Sequence, residues 1–69
     1  MPSKAAFWLV AHDGKHLCGW HGGRPTFRRT SPYSKENTRF TSKHKADNEA
    51  LWIRTCGLRG VSAKPVRPN

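Results

Sequence analysis

The residues best suited to chemistry lie in one segment, residues 21–38, where cationic side chains alternate with aromatic ones. The segment carries Arg24, Phe27, Arg28, Arg29, Tyr33 and Lys35. Guanidinium groups pair with phosphates through parallel hydrogen bonds, and flat aromatic rings stack on unpaired bases. This combination predicts contact with nucleic acid or with a nucleoprotein complex. The same composition also fits a loop that docks on an acidic protein, or a solvated basic loop in which Phe27 only caps the core.

Three further cations extend this candidate site beyond that segment. Arg39 follows it directly, and Lys43 and Arg54 fall within a predicted helix. At about 100° per residue, Lys43 and Arg54 lie roughly 20° apart on a helical wheel and can form one basic edge. The alternative is that they keep an exposed helix face soluble, and Asp47 and Glu49 on the same helix would repel phosphate. No helix-turn-helix pair is predicted, because only one helix can be drawn.

Histidine and cysteine occur at spacings that a metal site can use. His16, Cys18 and His21 form an H-x-C-x-x-H pattern, with His12, His44 and Cys56 elsewhere. The spacing matches no standard zinc finger, and His21 falls beyond the strand that holds the other two. We predict no metal site. Cys18 and Cys56 are instead expected to be buried as small apolar side chains, without a disulfide.

Catalytic residues are not predicted. The chain has four Asp and Glu, of which two fall in the predicted helix and one in a turn. Cys18 and His16 resemble a nucleophile and a base, but no third group is present to orient them. A chain of 69 residues also has little room for a concave pocket. We therefore expect a non-enzymatic protein with no cofactor and no small-molecule substrate.

Net charge narrows the class of partner. Thirteen Lys and Arg against four Asp and Glu give a formal charge of +9 on 69 residues. Such a field attracts polyanions and speeds their encounter with the protein. No apolar run approaches the roughly 18 residues of a membrane span, and residues 1–10 do not match a signal peptide. We expect a cytoplasmic protein that binds DNA, RNA or an acidic protein and does not bind membranes; its oligomeric state is left open.

The first element that would position these residues is a β-hairpin over residues 5–20. Asp13-Gly14 suits a two-residue turn with positive φ angles, and it pairs His12 with Lys15. Side chains then alternate between two faces: Phe7, Leu9, Cys18 and Trp20 on one, and Trp8, Val10 and Leu17 on the other. We expect the first face in the core. The second is expected to be partly exposed or covered by the following loop.

A loop, a short strand, a helix and a final strand are expected after the hairpin. Glycine, proline and hydroxyl residues make residues 21–38 a basic loop, with room for a short strand at residues 26–28. Residues 39–41 read as a strand that leads into a helix over residues 43–56. Thr41 or Ser42 is the expected N-cap, and Gly57 follows the helix.

Apolar spacing and proline define the last elements. Ala46, Ala50 and Ile53 recur at helical spacing and predict the buried stripe of the helix. Residues 60–66 alternate and contain Pro65, which favours an edge strand. Residues 67–69 are expected to fray.

These elements predict a single α+β domain over residues 1–69, a small two-layer sandwich with one helix on an antiparallel sheet. Three stretches, FWLVAHDGKHLCGW, RFTSKHKADNEALWI and GVSAKPV, resemble small accessory proteins encoded by bacteriophages and prophages. Proteins of that kind, the anti-CRISPR proteins among them, often bind host factors. The resemblance implies a binding protein in the host cytoplasm and carries no site residue over to this chain.

Two functional hypotheses follow from the sequence. In the first, the cationic and aromatic loop contacts nucleic acid or a nucleoprotein complex. In the second, the chain is a phage-type inhibitor that docks on an acidic surface of a host protein. The strip formed by Trp8, Val10 and Leu17 would then serve as an apolar anchor.

Overall fold

The computed structural model describes residues 5–68, in which one helix packs on a four-stranded antiparallel sheet. The elements follow the chain as β1 (Phe7–His12), β2 (Lys15–His21), β3 (Arg24–Arg28), α1 (Lys43–Thr55) and β4 (Val61–Val66). The strands lie in the order β3-β2-β1-β4. The predicted α+β fold is confirmed, and β4 is the edge strand that Pro65 indicated.

Two tight turns build the sheet, and each uses residues that tolerate positive φ. Asp13 and Gly14, at φ 51° and 74°, join β1 to β2, and the predicted pairing of His12 with Lys15 is confirmed. Gly22 and Gly23, at φ 57° and 78°, join β2 to β3. Positive φ at both central residues matches the twist of the flanking strands. Residues 24–28 therefore form one strand of a second hairpin, which includes the short strand that the sequence allowed at residues 26–28 within the loop.

The helix covers the sheet face opposite to the one predicted. Val10 and Leu17 are fully buried beneath α1, and Trp8 packs at the margin of the same cluster. The expected exposed strip is therefore part of the core. Both faces of the β1–β2 hairpin are apolar, so side-chain alternation alone does not decide which face meets the helix.

A β-bulge moves Trp20 to the helix face. Leu17 pairs with Phe27, but Gly19 pairs with Thr26, so β2 contains one extra residue. The extra residue reverses the alternation of side chains beyond it. The Trp20 indole N–H consequently donates to a carboxylate oxygen of Glu49 in α1 at 2.9 Å. The expectation of Trp20 in the core is wrong, because its side chain is 41% exposed.

The helix begins and ends where its capping residues predict. The Ser42 hydroxyl accepts the Lys45 N–H at 3.2 Å as the N-cap. Gly57, at φ 107°, follows the helix, and its N–H donates to the Arg54 carbonyl oxygen at 3.0 Å. The predicted stripe is buried against the sheet: Ala46, Ala50 and Ile53. No helix within residues 5–68 is long and apolar enough to cross a membrane.

Residues 38–40 fill a gap between β1 and β2. The two strands pair only beside their turn. Farther along, Trp8 and Phe40 exchange two backbone hydrogen bonds of 2.8 and 2.9 Å, and the Leu17 carbonyl oxygen accepts the Thr38 N–H at 2.8 Å. The strand predicted at residues 39–41 is thus a single bridge inside the sheet. It replaces the direct pairing of the two strands that a regular hairpin over residues 5–20 would continue away from its turn.

Candidate functional site

Residues 29–37, which we call the strap, cross the sheet face that α1 leaves open. Near its start, the His16 Nδ1 atom of β2 donates to the Thr30 carbonyl oxygen at 3.0 Å. At its tip, the Tyr33 hydroxyl donates to the Arg67 carbonyl oxygen, just past β4, at 3.1 Å. Leu9 is fully buried but does not belong to the cluster beneath α1, which places it under the strap. The strap therefore forms a third layer on the fold.

One buried side chain closes the base of the strap. Asn37 is 5% exposed and is the buried polar residue of the part of the chain that the structure describes. Its amide N–H donates to the Ser31 carbonyl oxygen at 2.8 Å, and its amide oxygen accepts the Thr30 hydroxyl. Because Thr38 is tied to β2 immediately afterwards, both ends of the strap are held together. The strap has a defined shape rather than that of a free loop.

Positive charge is in excess of negative charge on this strap face. Within residues 5–68, the single ion pair joins Arg28 to Glu36 at 2.8 Å, which neutralises the acid of the strap. The other three carboxylates are Asp13 in the first turn and Asp47 and Glu49 on α1. Five exposed cations on or beside the strap have no carboxylate partner among the described residues: Arg29, Lys35, Arg39, Lys64 and Arg67. We call these the strap cations.

Two of the strap cations were not among the residues that the sequence singled out. Lys64 pairs with Leu9 in the β1–β4 ladder, and directly paired residues point to the same face of a sheet. In the alternation predicted for the last strand, Lys64 and Ala63 point to different faces of the sheet, and Lys64 would lie on the face away from the helix. Arg67 belongs to the tail expected to fray, and only its long-range bond from Tyr33 brings it to the site.

Tyr33 is an anchored aromatic residue in contact with two of the strap-cation residues. The guanidinium of Arg39 lies 4.5 Å from the centroid of the Phe7 ring, and its Nη2 donates to the Tyr33 carbonyl oxygen at 3.3 Å. The Tyr33 N–H donates to the Ser31 hydroxyl at 3.3 Å. The Tyr33 side chain is nevertheless 43% exposed. A flat surface is therefore held in place beside Arg39 and Arg67.

The remaining predicted site residues lie apart from the strap. Phe27 is partly buried against the core, with its ring centroid 5.3 Å from that of His12, so it is not free to stack on a base. Arg24 is exposed at the start of β3, beside the second turn. Lys43 and Arg54 lie on α1, and the Arg54 guanidinium donates to a backbone carbonyl at the start of β4 at 3.3 Å. The strap thus gathers only part of the predicted set.

Histidine and cysteine side chains are not gathered into a metal site. Among residues 5–68, no three His, Cys, Asp or Glu side chains are close enough together to hold an ion. The Cys18 thiol donates to the His16 carbonyl oxygen at 3.4 Å. The expectation that both cysteines are core residues is wrong: Cys18 is partly buried at the bulge, and Cys56 is exposed at the C-cap of α1. Both are free thiols.

The outer face of α1 carries a second surface feature. Leu51 and Trp52 are adjacent and are 55% and 60% exposed. With Thr55 they line an open depression of about 300 Å³. Adjoining large apolar side chains in solvent often mark an interaction site. An exposed apolar surface thus lies on α1, whereas the sequence analysis expected one on the first hairpin.

No protein-family model, curated protein or solved structure matches the chain. The resemblance to phage accessory proteins therefore stays a prediction, and the geometry of the strap carries the functional argument.

Proposed function

We propose that this chain is a non-enzymatic binding protein that contacts the phosphate backbone of nucleic acid through its strap face. The segregation of charge is the observation that supports the proposal most directly. The strap cations and Arg28 make six cations on or beside the strap with one acid, Glu36, whereas α1 carries three cations and two acids. Cations of this kind neutralise phosphates and release the counterions condensed on nucleic acid, which supplies affinity without regard to sequence.

The anchoring of the strap supports the same proposal energetically. A mobile loop loses conformational entropy when a ligand orders it, and that loss reduces affinity. Here Asn37 closes the base of the strap and Tyr33 ties its tip to the end of β4. Much of the conformational entropy of the strap is therefore already lost during folding, and less remains to be lost when a ligand binds. The proposed activity needs no metal, cofactor or small-molecule substrate, and we expect it in the cytoplasm with DNA or RNA as partner.

A mobility-shift assay with matched variants tests this proposal. The strap pair, Arg29→Ala with Lys35→Ala, removes two strap cations that make no hydrogen bond within the described residues. The helix pair, Lys43→Ala with Lys45→Ala, removes the same charge from α1. We expect the unmodified protein to shift short oligonucleotides of any sequence at low salt, and the strap pair to weaken the shift more than the helix pair. No shift at low salt would contradict the proposal.

A second candidate function is docking on an acidic host protein, in the manner of a phage-encoded inhibitor. The exposure of Leu51 and Trp52 favours it, because interface hot spots are rich in tryptophan and centre on apolar contacts. A net charge of +9 favours an acidic partner. The test is a pulldown from nuclease-treated lysate. A stoichiometric acidic protein that is lost with Trp52→Ala and kept with the strap pair would support docking, and capture that disappears with nuclease would reject it.

A further inference from the structure

We infer that the strap face selects single-stranded over double-stranded nucleic acid, with the Tyr33 ring as the stacking platform for one unpaired base. This inference rests on the proposed function and adds the class of strand that the same site prefers. Three features of the described residues lead to it: the fixation of Tyr33, the position of its cationic neighbours and the surfaces presented by the other elements.

Tyr33 is held at three points while its ring stays open to solvent. Its N–H donates to the Ser31 hydroxyl, its carbonyl oxygen accepts from Arg39, and its hydroxyl donates to the Arg67 carbonyl oxygen. The side chain is still 43% exposed. A ring fixed in this way loses little further freedom when a base stacks on it. Stacking also tolerates any base, because every base has a π face.

Two cationic residues contact Tyr33, Arg39 through its guanidinium and Arg67 through its backbone, and they bring positive charge to the neighbourhood in which a stacked nucleotide would lie. Arg39 contacts the Tyr33 backbone, and Arg67 follows the end of β4, where the Tyr33 hydroxyl is bound. Lys64 lies on the same face of the sheet, through its pairing with Leu9. An aromatic platform bordered by cations is the combination with which proteins hold single strands. In a duplex, the base faces are already stacked on their neighbours and do not reach such a ring.

The other elements of the described chain offer little to a duplex groove. The single helix among residues 5–68 mixes two acids, Asp47 and Glu49, with its three cations, and it exposes Leu51 and Trp52 on its outer face. The first hairpin ends in Asp13, and the second ends in two glycines. A duplex can therefore contact the strap cations only through its phosphates. A single strand makes the same phosphate contacts and also stacks one base on Tyr33.

Anisotropy titrations against two labelled probes test the inference. The probes are an oligothymidine single strand and a mixed-sequence duplex of the same length. We expect tighter binding of the single strand by the unmodified protein. Tyr33→Phe keeps the ring but loses the bond to the Arg67 carbonyl oxygen, so it serves as the reference variant and should keep the preference for the single strand. Relative to Tyr33→Phe, Tyr33→Leu should lower affinity for the single strand about 5- to 150-fold, the equivalent of one lost base stack, and leave duplex binding nearly unchanged. Trp52→Leu, on the helix face, should change neither affinity.

The outcomes separate this inference from the function on which it rests. Equal affinity for both probes, or an equal loss for both in Tyr33→Leu, would overturn the inference and leave phosphate binding intact. Failure of both probes to bind at low salt would contradict the proposed function itself. Photo-crosslinking of the unmodified protein to a bromouracil-containing single strand provides a measurement that does not depend on how a variant folds. A crosslink at Tyr33 is expected, and crosslinks confined to the tryptophans would overturn the inference.

Discussion

At the scale of single residues, burial separates the side chains that hold this fold together from those that are free to bind. Ile53 and Leu51 are two positions apart on α1, yet Ile53 is fully buried against the sheet and Leu51 is 55% exposed. A helix turns neighbouring positions to different faces, so composition and position along the chain do not predict the role of either residue. Their packing does.

Alanine substitution of these two residues tests that distinction. Ile53→Ala empties a core site and should lower the free energy of unfolding by about 2–5 kcal/mol. Leu51→Ala removes an exposed side chain and should change it by less than about 0.5 kcal/mol. Circular dichroism melts of the two variants provide the comparison. Similar losses of stability in both would mean that the helix is seated differently on the sheet.

Two histidines of the first hairpin differ in whether their ring nitrogens are paired. His12 Nδ1 is buried without a hydrogen-bond partner, whereas His16 Nδ1 is bound to Thr30. Removing an unpaired buried nitrogen relieves a desolvation cost, but removing a paired one leaves its partner unsatisfied, at about 1–3 kcal/mol. We therefore expect His12→Phe to raise the melting temperature and His16→Phe to lower it. Shifts in the same direction for both variants would contradict this account.

At the scale of the elements, local chemistry was predictable because it depends on a few neighbouring residues. Asp13-Gly14 forms the expected turn, and Ser42 and Gly57 flank the helix as expected. The same reasoning was available for Gly22-Gly23, which makes the second hairpin turn. Prolines and charged residues surround these glycines and obscure the start of β3, so that only residues 26–28 of it are recognisable as a short strand.

The orientation of the sheet was not predictable from the sequence. Both faces of the first hairpin carry apolar side chains, and both are covered, one by α1 and the other by the strap. The extra residue of β2 at the Leu17–Gly19 bulge then moves Trp20 to the other face. Gly19, at φ 138°, is the local signal of this bulge, because an isolated glycine inside a strand pattern often marks one. Which face meets α1 depends on contacts between residues far apart in the chain.

The strap was predicted as a basic loop, but its shape depends on partners that single-sequence reasoning does not identify. Asn37 lies among several Ser, Thr and Asn residues, and nothing local marks it as the buried one. Arg67 is more than thirty residues from Tyr33, whose hydroxyl it binds through its carbonyl oxygen. The residue types of the candidate site were thus predictable from the sequence, but the positions of its side chains in the fold were not.

Asn37 provides the test at this scale. Asn37→Ala removes the hydrogen bonds that the side chain makes with the Ser31 carbonyl oxygen and the Thr30 hydroxyl, and at about 0.5–1.5 kcal/mol per bond it should lower the free energy of unfolding by about 1–3 kcal/mol. The released strap should also allow faster hydrogen exchange at the Thr38 N–H, which is bound to Leu17. Asn48→Ala, at an exposed position of α1, is the matched control and should change neither quantity. Unchanged exchange at Thr38 in Asn37→Ala would show that other contacts hold the strap.

At the scale of the whole molecule, the sheet divides the surface into two unlike sides. The strap side carries the strap cations and an anchored tyrosine, and the helix side carries three cations, two acids and the exposed Leu51–Trp52 pair. The net charge of +9 attracts polyanions from any direction. The arrangement of the strap would decide which side meets them.

The salt dependence of binding tests the central claim most directly. On a single strand, the logarithm of the association constant falls with the logarithm of salt concentration by about 0.7 per phosphate contact, so the strap cations together predict a slope of about −3.5. The strap pair should make that slope shallower by about 1.4, and the helix pair, with the same loss of charge, should leave it unchanged. A slope near zero for the unmodified protein, or equal changes in the two pairs, would contradict the assignment of phosphate binding to the strap face.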